Sequence, residues 1–385
     1  MDNPFISGDI DLNVLKSSPK YLIVALDNDS DGLVLKISHK DNEKLIQEVN
    51  RIMELKTTYP KMNQLLPELH GHGDIKVGFH SGKYYYLQTN FPGRTFSNLI
   101  QSHSSNVNEL DAGFRTLFHL LVDAALEHSY SKAYDCSSGI FIEEAIRFEY
   151  KRIFQLDNIK QIASMENLSI DGKQRCSLSL SLNTIFESDA FHLLNDVPSF
   201  ISDLGHWNFH GDNIILNSLK NPEKFKLIDP DVSIDKHDPL MAVARFLYTM
   251  PHDTADYGQY IIKSKFLEPS IPGRESKESK EEFFINHTWP LITQKKYMRL
   301  FNLFYNENAN IISELDLRFK DKSLLLRLKL CYLFCLIRGV NANYDDLIVY
   351  KEGNPHIFKN KSIYLLLNCI IFSHNLSVEI DGFQG

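Results

Sequence analysis

A chain of 385 residues is long enough for two or three structural units with a real core. Its 41 Lys+Arg against 49 Asp+Glu leave a net charge of −8, which argues against a protein that coats nucleic acid, and 43% hydrophobic with 23% charged residues excludes disorder as the dominant state. Five scattered cysteines (Cys136, Cys176, Cys331, Cys335, Cys369) make no disulfide framework and fit a reducing compartment.

In chain order, Met1-Asp2-Asn3-Pro4 has neither the basic nor the apolar part of a secretory signal, so a cytoplasmic protein is expected. Tyr21–Leu26 and Leu33–Ile37 are β-rich runs around the turn cluster Asp27–Gly32, which predicts a hairpin. Asn42–Lys56 carries Leu45, Val49, Ile52, Met53 and Leu55 at helical spacing, with Pro60 beyond as a stop. His72-Gly73-Asp74 reads as a turn, and Ile75–Phe79 with Tyr84–Thr89 as a second hairpin around His80-Ser81-Gly82-Lys83. Phe91-Pro92-Gly93 marks a change of character. Helices are expected over the face Phe114, Leu117, Phe118, Leu121, Ala124, Ala125 and His128, over Glu143–Met165 and over Ser179–Leu194. Short β-like runs return between Phe200 and Asp231. From Pro239 onward the pattern is helical, apart from the polar segment Glu268–Glu282, read as an exposed loop running into a solvated helix start. Leu324–Ile337, interrupted by Arg327 and Lys329, is too short and too charged to span a bilayer, so no membrane partner is expected. Cys331 and Cys335, one turn apart in that apolar helix, read as core rather than as metal ligands.

The segment that carries chemistry is Gly205–Leu216, followed by Phe225-Lys226-Leu227-Ile228-Asp229-Pro230-Asp231 and then Asp238-Pro239-Leu240. A histidine-rich loop leads to an Asn that opens a short apolar strand, and a second apolar strand ends in Asp. The two oxygen donors can then converge on one hard cation such as Mg²⁺, which keeps waters and substrate phosphates in its shell. An ordinary hairpin with polar ends is the alternative from these residues alone.

The order of these pieces resembles the aminoglycoside-phosphotransferase and choline-kinase group of the protein-kinase-like superfamily, from about Ser17 to about Met250. The group's catalytic loop reads H-G-D-x-x-x-x-N before an apolar strand, and a second strand ends in I-D-W or I-D-P, as Leu227-Ile228-Asp229-Pro230 does here. Asp238-Pro239-Leu240, running into Ala244-Arg245-Phe246-Leu247, resembles the D-P-x-x-D-L-A-R continuation. Val34-Leu35-Lys36-Ile37 looks like the strand carrying the ATP-binding lysine, with Glu48 as its partner on the next helix. Leu87–Thr95 resembles the hinge. The resemblance implies an α+β, two-lobed kinase-like fold. A small β-sheet lobe with one helix would span residues 1–91, and a mainly helical lobe that binds the acceptor would span 92–385. It also implies ATP and Mg²⁺ as cofactors. Lys36, held by Glu48, would contact the α and β phosphates, Thr89, Asn90 and Phe91 would present backbone to adenine, and Asn213 and Asp229 would hold the metal.

The loop can be registered in two ways. In one, His206 is the leading histidine, Asn208 stands at the catalytic Asp, and Asn213 is the metal Asn directly before Ile214-Ile215-Leu216. In the other, His210-Gly211-Asp212 is a literal H-G-D with Asn217 as metal Asn, but the residues after it make a poor strand. The first is favoured, because the strand after the Asn is what aims it. It replaces a carboxylate base by an amide, and Asp212 is then the nearest substitute. The family's next aspartate falls at Ala242, and Ser17-Ser18-Pro19-Lys20 lacks the glycines that admit phosphates. Two functions follow: a phosphotransferase acting on a hydroxyl of a small-molecule acceptor, or a pseudokinase that binds nucleotide or a protein partner. Neither the acceptor nor the oligomeric state is legible.

Overall fold

A computed structural model of the chain describes residues 12–17, 20–26, 32–39, 41–102, 107–127, 134–196, 198–199, 208–230, 238–252, 261–267, 280–286, 323–349 and 355–382. The fold is α+β and packs as two compact units, residues 1–128 with 202–237 and residues 129–201 with 238–385. The lobes expected from the resemblance, 1–91 and 92–385, follow the chain, whereas residues 92–128 and 202–237 pack with the first unit.

The first unit is built on an antiparallel sheet. Its strands are β1 (Leu12–Ser17), β2 (Tyr21–Leu26), β3 (Leu33–Ser38), β4 (Leu69–Asp74) and β5 (Tyr84–Thr89), in the order β1-β2-β3-β5-β4. The first expected hairpin forms, with Tyr21 opposite Ser38 and Leu26 opposite Leu33; most of its turn lies outside the described residues. Helix α1 (Asn42–Thr58) starts where the Asp41 side chain accepts the Lys44 N–H, and it buries Leu45, Glu48, Val49, Ile52 and Leu55. Leu45 and Val49 pack on Tyr84 and Tyr86 of β5. Met53, expected on that face, is instead 46% exposed. Pro60 opens a second short helix, α2 (Pro60–Leu65), at a position where its missing N–H costs nothing.

The second hairpin is shifted from its expected place. His72-Gly73-Asp74 is strand, not turn, and Ile75–Phe79 belongs to the connection. The reason is chemical. His72 Nδ1 is 2.7 Å from the Tyr84 hydroxyl across the pair. Gly78, at φ +88°, bends the apolar run away, leaving Phe79 fully exposed. Beyond β5 come β6 (Arg94–Thr95), α3 (Phe96–Ser102) and α4 (Val107–Glu127), the last burying Phe114, Leu117, Phe118, Leu121, Ala124 and Ala125 as expected. Strands β11 (Ile214–Leu216) and β12 (Phe225–Leu227) complete the unit in a small sheet of order β12-β11-β6.

The second unit holds β7 (Tyr134–Ser137) paired with β10 (Pro198–Ser199), and helices α5 (Ser138–Ile153), α6 (Asp157–Ala163), α7 (Leu178–Glu187) and α8 (Asp189–His192). Each of the two helices expected here is broken in two. Gln155 and Leu156 turn back onto Arg152 and Ile153 carbonyls, and the Ser188 hydroxyl caps α8 by accepting the Phe191 N–H. Strands β8 (Asn167–Ile170), β9 (Lys173–Cys176), β13 (Ile261–Leu267) and β14 (Lys280–Asn286) form a sheet of order β13-β14-β8-β9, so the part after Pro239 is not helical throughout. β14 runs parallel to β8, a pairing between residues more than a hundred positions apart that no local pattern reveals.

The remaining helices are α9 (Leu240–His252), α10 (Leu324–Val349) and α11 (Pro355–Gly382). Cys331 and Cys335 are buried in α10, as expected. Within α11, Lys361–Ile380 is long and apolar enough to cross a membrane, longer than the stretch singled out from sequence, and 61% of it is buried inside the structure. It packs on α10, with the Tyr332 and Phe372 rings 5.1 Å apart and Lys329 2.5 Å from Glu379.

Candidate functional site

The site is assembled within the first unit. On β3, Lys36 lies opposite Ile23 of β2 and Tyr86 of β5, so its long side chain leaves the middle of the sheet rather than its rim. Helix α1 buries Glu48 two turns from its start, facing it. The Lys36 ammonium is 2.9 Å from each Glu48 carboxylate oxygen and 2.5 Å from Asp229 Oδ1. The ring of Tyr21 lies 4.5 Å from Lys36 Nζ and that of Tyr86 5.7 Å, and the Tyr86 hydroxyl donates to Glu48 Oε1 at 2.7 Å. Sequence reasoning missed both tyrosines. For Tyr86 the signal was available, since a residue cross-strand from a functional lysine shares its face.

Burial drives the electrostatics, and the ion pairs answer it. Removal from water pushes the Glu48 carboxyl up to about 7 against the pull of Lys36. For Lys36, burial lowers the pKa, but Tyr86, Glu48 and Asp229 together hold it well above its ordinary value. At Asp229 burial also raises the pKa, yet Lys36 overrides it and brings the carboxyl down to about 2. The three groups differ in access. Lys36 and Glu48 side chains are 5% and 4% exposed, while Asp229 keeps 50% of its surface open. Asp229 also sits at φ +57°, a left-handed conformation uncommon for a residue with a Cβ.

The loop before β11 converges on the same place. Residues Gly211–Asn213 form a single 3-10 turn, capped by the His210 ring, whose Nδ1 accepts the Asp212 N–H at 3.3 Å. Asn213 is buried, and its Nδ2 donates to the Asn208 carbonyl at 3.3 Å and the Asp229 carbonyl at 3.4 Å. Its backbone carbonyl accepts the Ile228 N–H at 2.9 Å, which fastens the two chain segments together. With both amide bonds directed at carbonyls, the Asn213 amide oxygen faces away from them. An amide oxygen beside a half-open carboxylate is the donor set that fits a hard divalent cation.

The structure thus brings together Lys36, Glu48, Asp229 and Asn213, and ties Asn208 to them through its backbone. Asn208 is half-buried, Asp212 is exposed beside the turn, and Asn217 is exposed after β11. His206 lies outside the described residues. Thr89 ends β5, and Asn90 and Phe91 follow it, all three in half-buried positions. The Thr89 N–H donates to Glu68 O at 2.8 Å and the Asn90 N–H to Gly32 O at 2.7 Å. Asp238, in the second unit, is buried: it caps α9 by accepting the Leu240 N–H at 2.8 Å and pairs with Arg327 at 2.8 Å.

No family model matches the sequence, and no curated protein matches it. Solved structures do match. One is a thermostable mutant of aminoglycoside phosphotransferase APH(4)-Ia in a ternary complex with AMP-PNP and hygromycin B. It is 13% identical, covers 96% of this chain and 95% of that chain, and has a TM-score of 0.52. Another, from Ralstonia eutropha, is described as an aminoglycoside phosphotransferase. It is 10% identical, with 96% and 94% covered and a TM-score of 0.51. With its five-stranded antiparallel sheet, a buried lysine–glutamate pair between strand and helix, and helical C-terminal region, the chain has the kinase-like fold of the aminoglycoside phosphotransferases.

Proposed function

We propose that the protein is an ATP- and Mg²⁺-dependent phosphotransferase acting on a hydroxyl of a small molecule. The observation that carries this reading is the Lys36 ammonium clamped between buried Glu48 and half-open, left-handed Asp229. A cation fixed in that way serves the phosphate oxygens of a nucleotide, and phosphoryl transfer depends mostly on such positioning and charge. Glu48 and Tyr86 hold Lys36 in place. The half-open Asp229 carboxylate and the Asn213 amide oxygen would hold Mg²⁺, which supplies neutralisation of phosphate charge when bound. The Thr89 and Asn90 N–H groups already donate within the protein, so the Phe91 N–H is the hinge donor that would meet adenine. The five-residue spacing from Asn208 to Asn213, together with the Asn213–Asn208 hydrogen bond, supports the register in which Asn208 stands at the base position.

A second reading, a pseudokinase, is favoured by two observations: the Lys36 ammonium already has three acceptors and an aromatic face, and the base position in the favoured register is an amide. The experiment that separates the readings is binding and turnover of ATP with and without Mg²⁺ by the full chain and three variants. A transferase with this register loses Mg²⁺-dependent ATP affinity in Asp229→Ala, and gains turnover in Asn208→Asp by up to the roughly 10²–10⁴-fold a general base contributes. Asp212→Asn abolishing transfer would instead favour the other register. Absence of Mg²⁺-dependent binding in the wild type overturns the phosphotransferase reading.

A further inference from the structure

The first unit contains an open groove of about 760 Å³ that shares no residue with the Lys36 site. Its walls come from the end of α1, from α2, from β4 and from β12, and its polar lining includes Lys56, Asn63, Glu68, His70, His72 and Lys226. Lys56 Nζ donates to Pro67 O at 3.0 Å. Lys226 Nζ donates to Gln64 O at 2.6 Å and to Leu66 O at 3.4 Å. These acceptors are neutral carbonyls at the exit of α2, so the lysines' hydrogen bonds leave their charges uncancelled. Both side chains are half-buried, and burial depresses both ammonium pKa values. At Lys226 the neighbouring Lys56 adds to the effect, whereas at Lys56 the Glu68 carboxylate opposes it. Glu68 is the carboxylate of this lining. On the β4 wall, His70 uses Nε2 toward Thr89 Oγ1 and His72 uses Nδ1 toward the Tyr84 hydroxyl. The other nitrogen of each exposed ring remains for a ligand.

We propose that this groove binds a small polyanion carrying phosphate or carboxylate groups. Two half-buried cations that repel one another are stabilised by an anion placed between them. The volume is that of a metabolite site rather than of a water pocket. The inference stands apart from the phosphotransferase reading, because none of the groove's residues takes part in it. The plain alternative is that both lysines serve to cap α2 and nothing more.

The test is calorimetric titration of pyrophosphate and of citrate into the full chain carrying Lys36→Met, which removes the cation of the nucleotide site. Saturable binding is expected. Lys56→Met and Lys226→Met should each weaken it tenfold or more. Because those lysines also brace α2, exposed Asn63 provides variants that leave the braces intact: Asn63→Glu should weaken binding tenfold, and Asn63→Lys should tighten it. Saturation by pyrophosphate alone identifies phosphate as the ligand chemistry, and saturation by citrate alone identifies carboxylate. If neither anion saturates, or Asn63→Glu leaves the affinity within twofold, the groove is a pair of helix braces and the proposal is overturned.

Discussion

Each unit contains a cluster of buried charge, and the two clusters differ in one respect. In the second unit, Arg327 and Asp238 are 1% and 2% exposed, and Asp238 spends its other oxygen on the first turn of α9. In the first unit, Lys36 and Glu48 are equally buried, but their third member, Asp229, is half open and held in a left-handed backbone. Burial of an ion pair is therefore a poor sign of function. What separates the two is that one cluster presents a charged oxygen to whatever enters and the other presents none. The closed pair organises a helix start. The open one keeps a carboxylate half exposed to solvent in a strained, left-handed backbone.

The largest expected effect tests the closed cluster. Arg327→Met leaves the Asp238 carboxylate buried without its partner and should cost about 3–5 kcal/mol of stability in urea denaturation. Adding Asp238→Asn should return much of it. Lys36→Met should cost less, because burial already pushes the Glu48 carboxyl up to about 7, so it can take up a proton, and Asp229 is half open to solvent. An equal loss in both variants would erase the distinction between the clusters.

A smaller effect, in the pH dependence, sharpens it. The Glu48 carboxyl is raised from 4.5 to about 7 in the fold, so between those values the folded state holds a proton that the unfolded chain has lost. Stability of the wild type relative to Glu48→Gln should then fall as pH rises from 4.5 to 7, by up to about 3 kcal/mol, and level off above. Melts at pH 5 and pH 8 measure it. A difference that is the same at both pH values would mean that Lys36 holds Glu48 ionised throughout. The smallest effect concerns the link between the strands. A Cβ on Gly93 would lie 2.6 Å from the Leu216 carbonyl oxygen, so Gly93→Ala should cost about 1–3 kcal/mol through forced displacement. Thermal melts check it.

What was legible in the sequence depended on range. The β2–β3 hairpin, α1 and the face of α4 follow from turn residues and periodicity within one window, and they stand where expected. The Lys36–Glu48 pair was expected from the family resemblance, and a strand and the helix that follows it do bring the two together. Asp229 was recognisable as the end of an apolar strand, but its bond to Lys36 spans 193 positions and no local rule gives it. The sheet β13-β14-β8-β9 was missed for the same reason. The second hairpin failed differently: two glycines and two histidines look like turn chemistry until Tyr84 supplies a cross-strand partner.

The close approach at Gly93 has a mechanical side. β6 begins one residue after it and pairs with β11, Arg94 opposite Leu216 and Thr95 opposite Ile215. Asn213 is the residue immediately before β11. The backbone leaving the hinge and the backbone presenting the amide oxygen are thus the two arms of one stiff bracket, with the glycine as the clearance that lets them close. In the proposed reading, such a bracket would set a fixed gauge between one end of a nucleotide and the other. A ligand too long or too short for it would then be rejected by distance before any side chain is consulted.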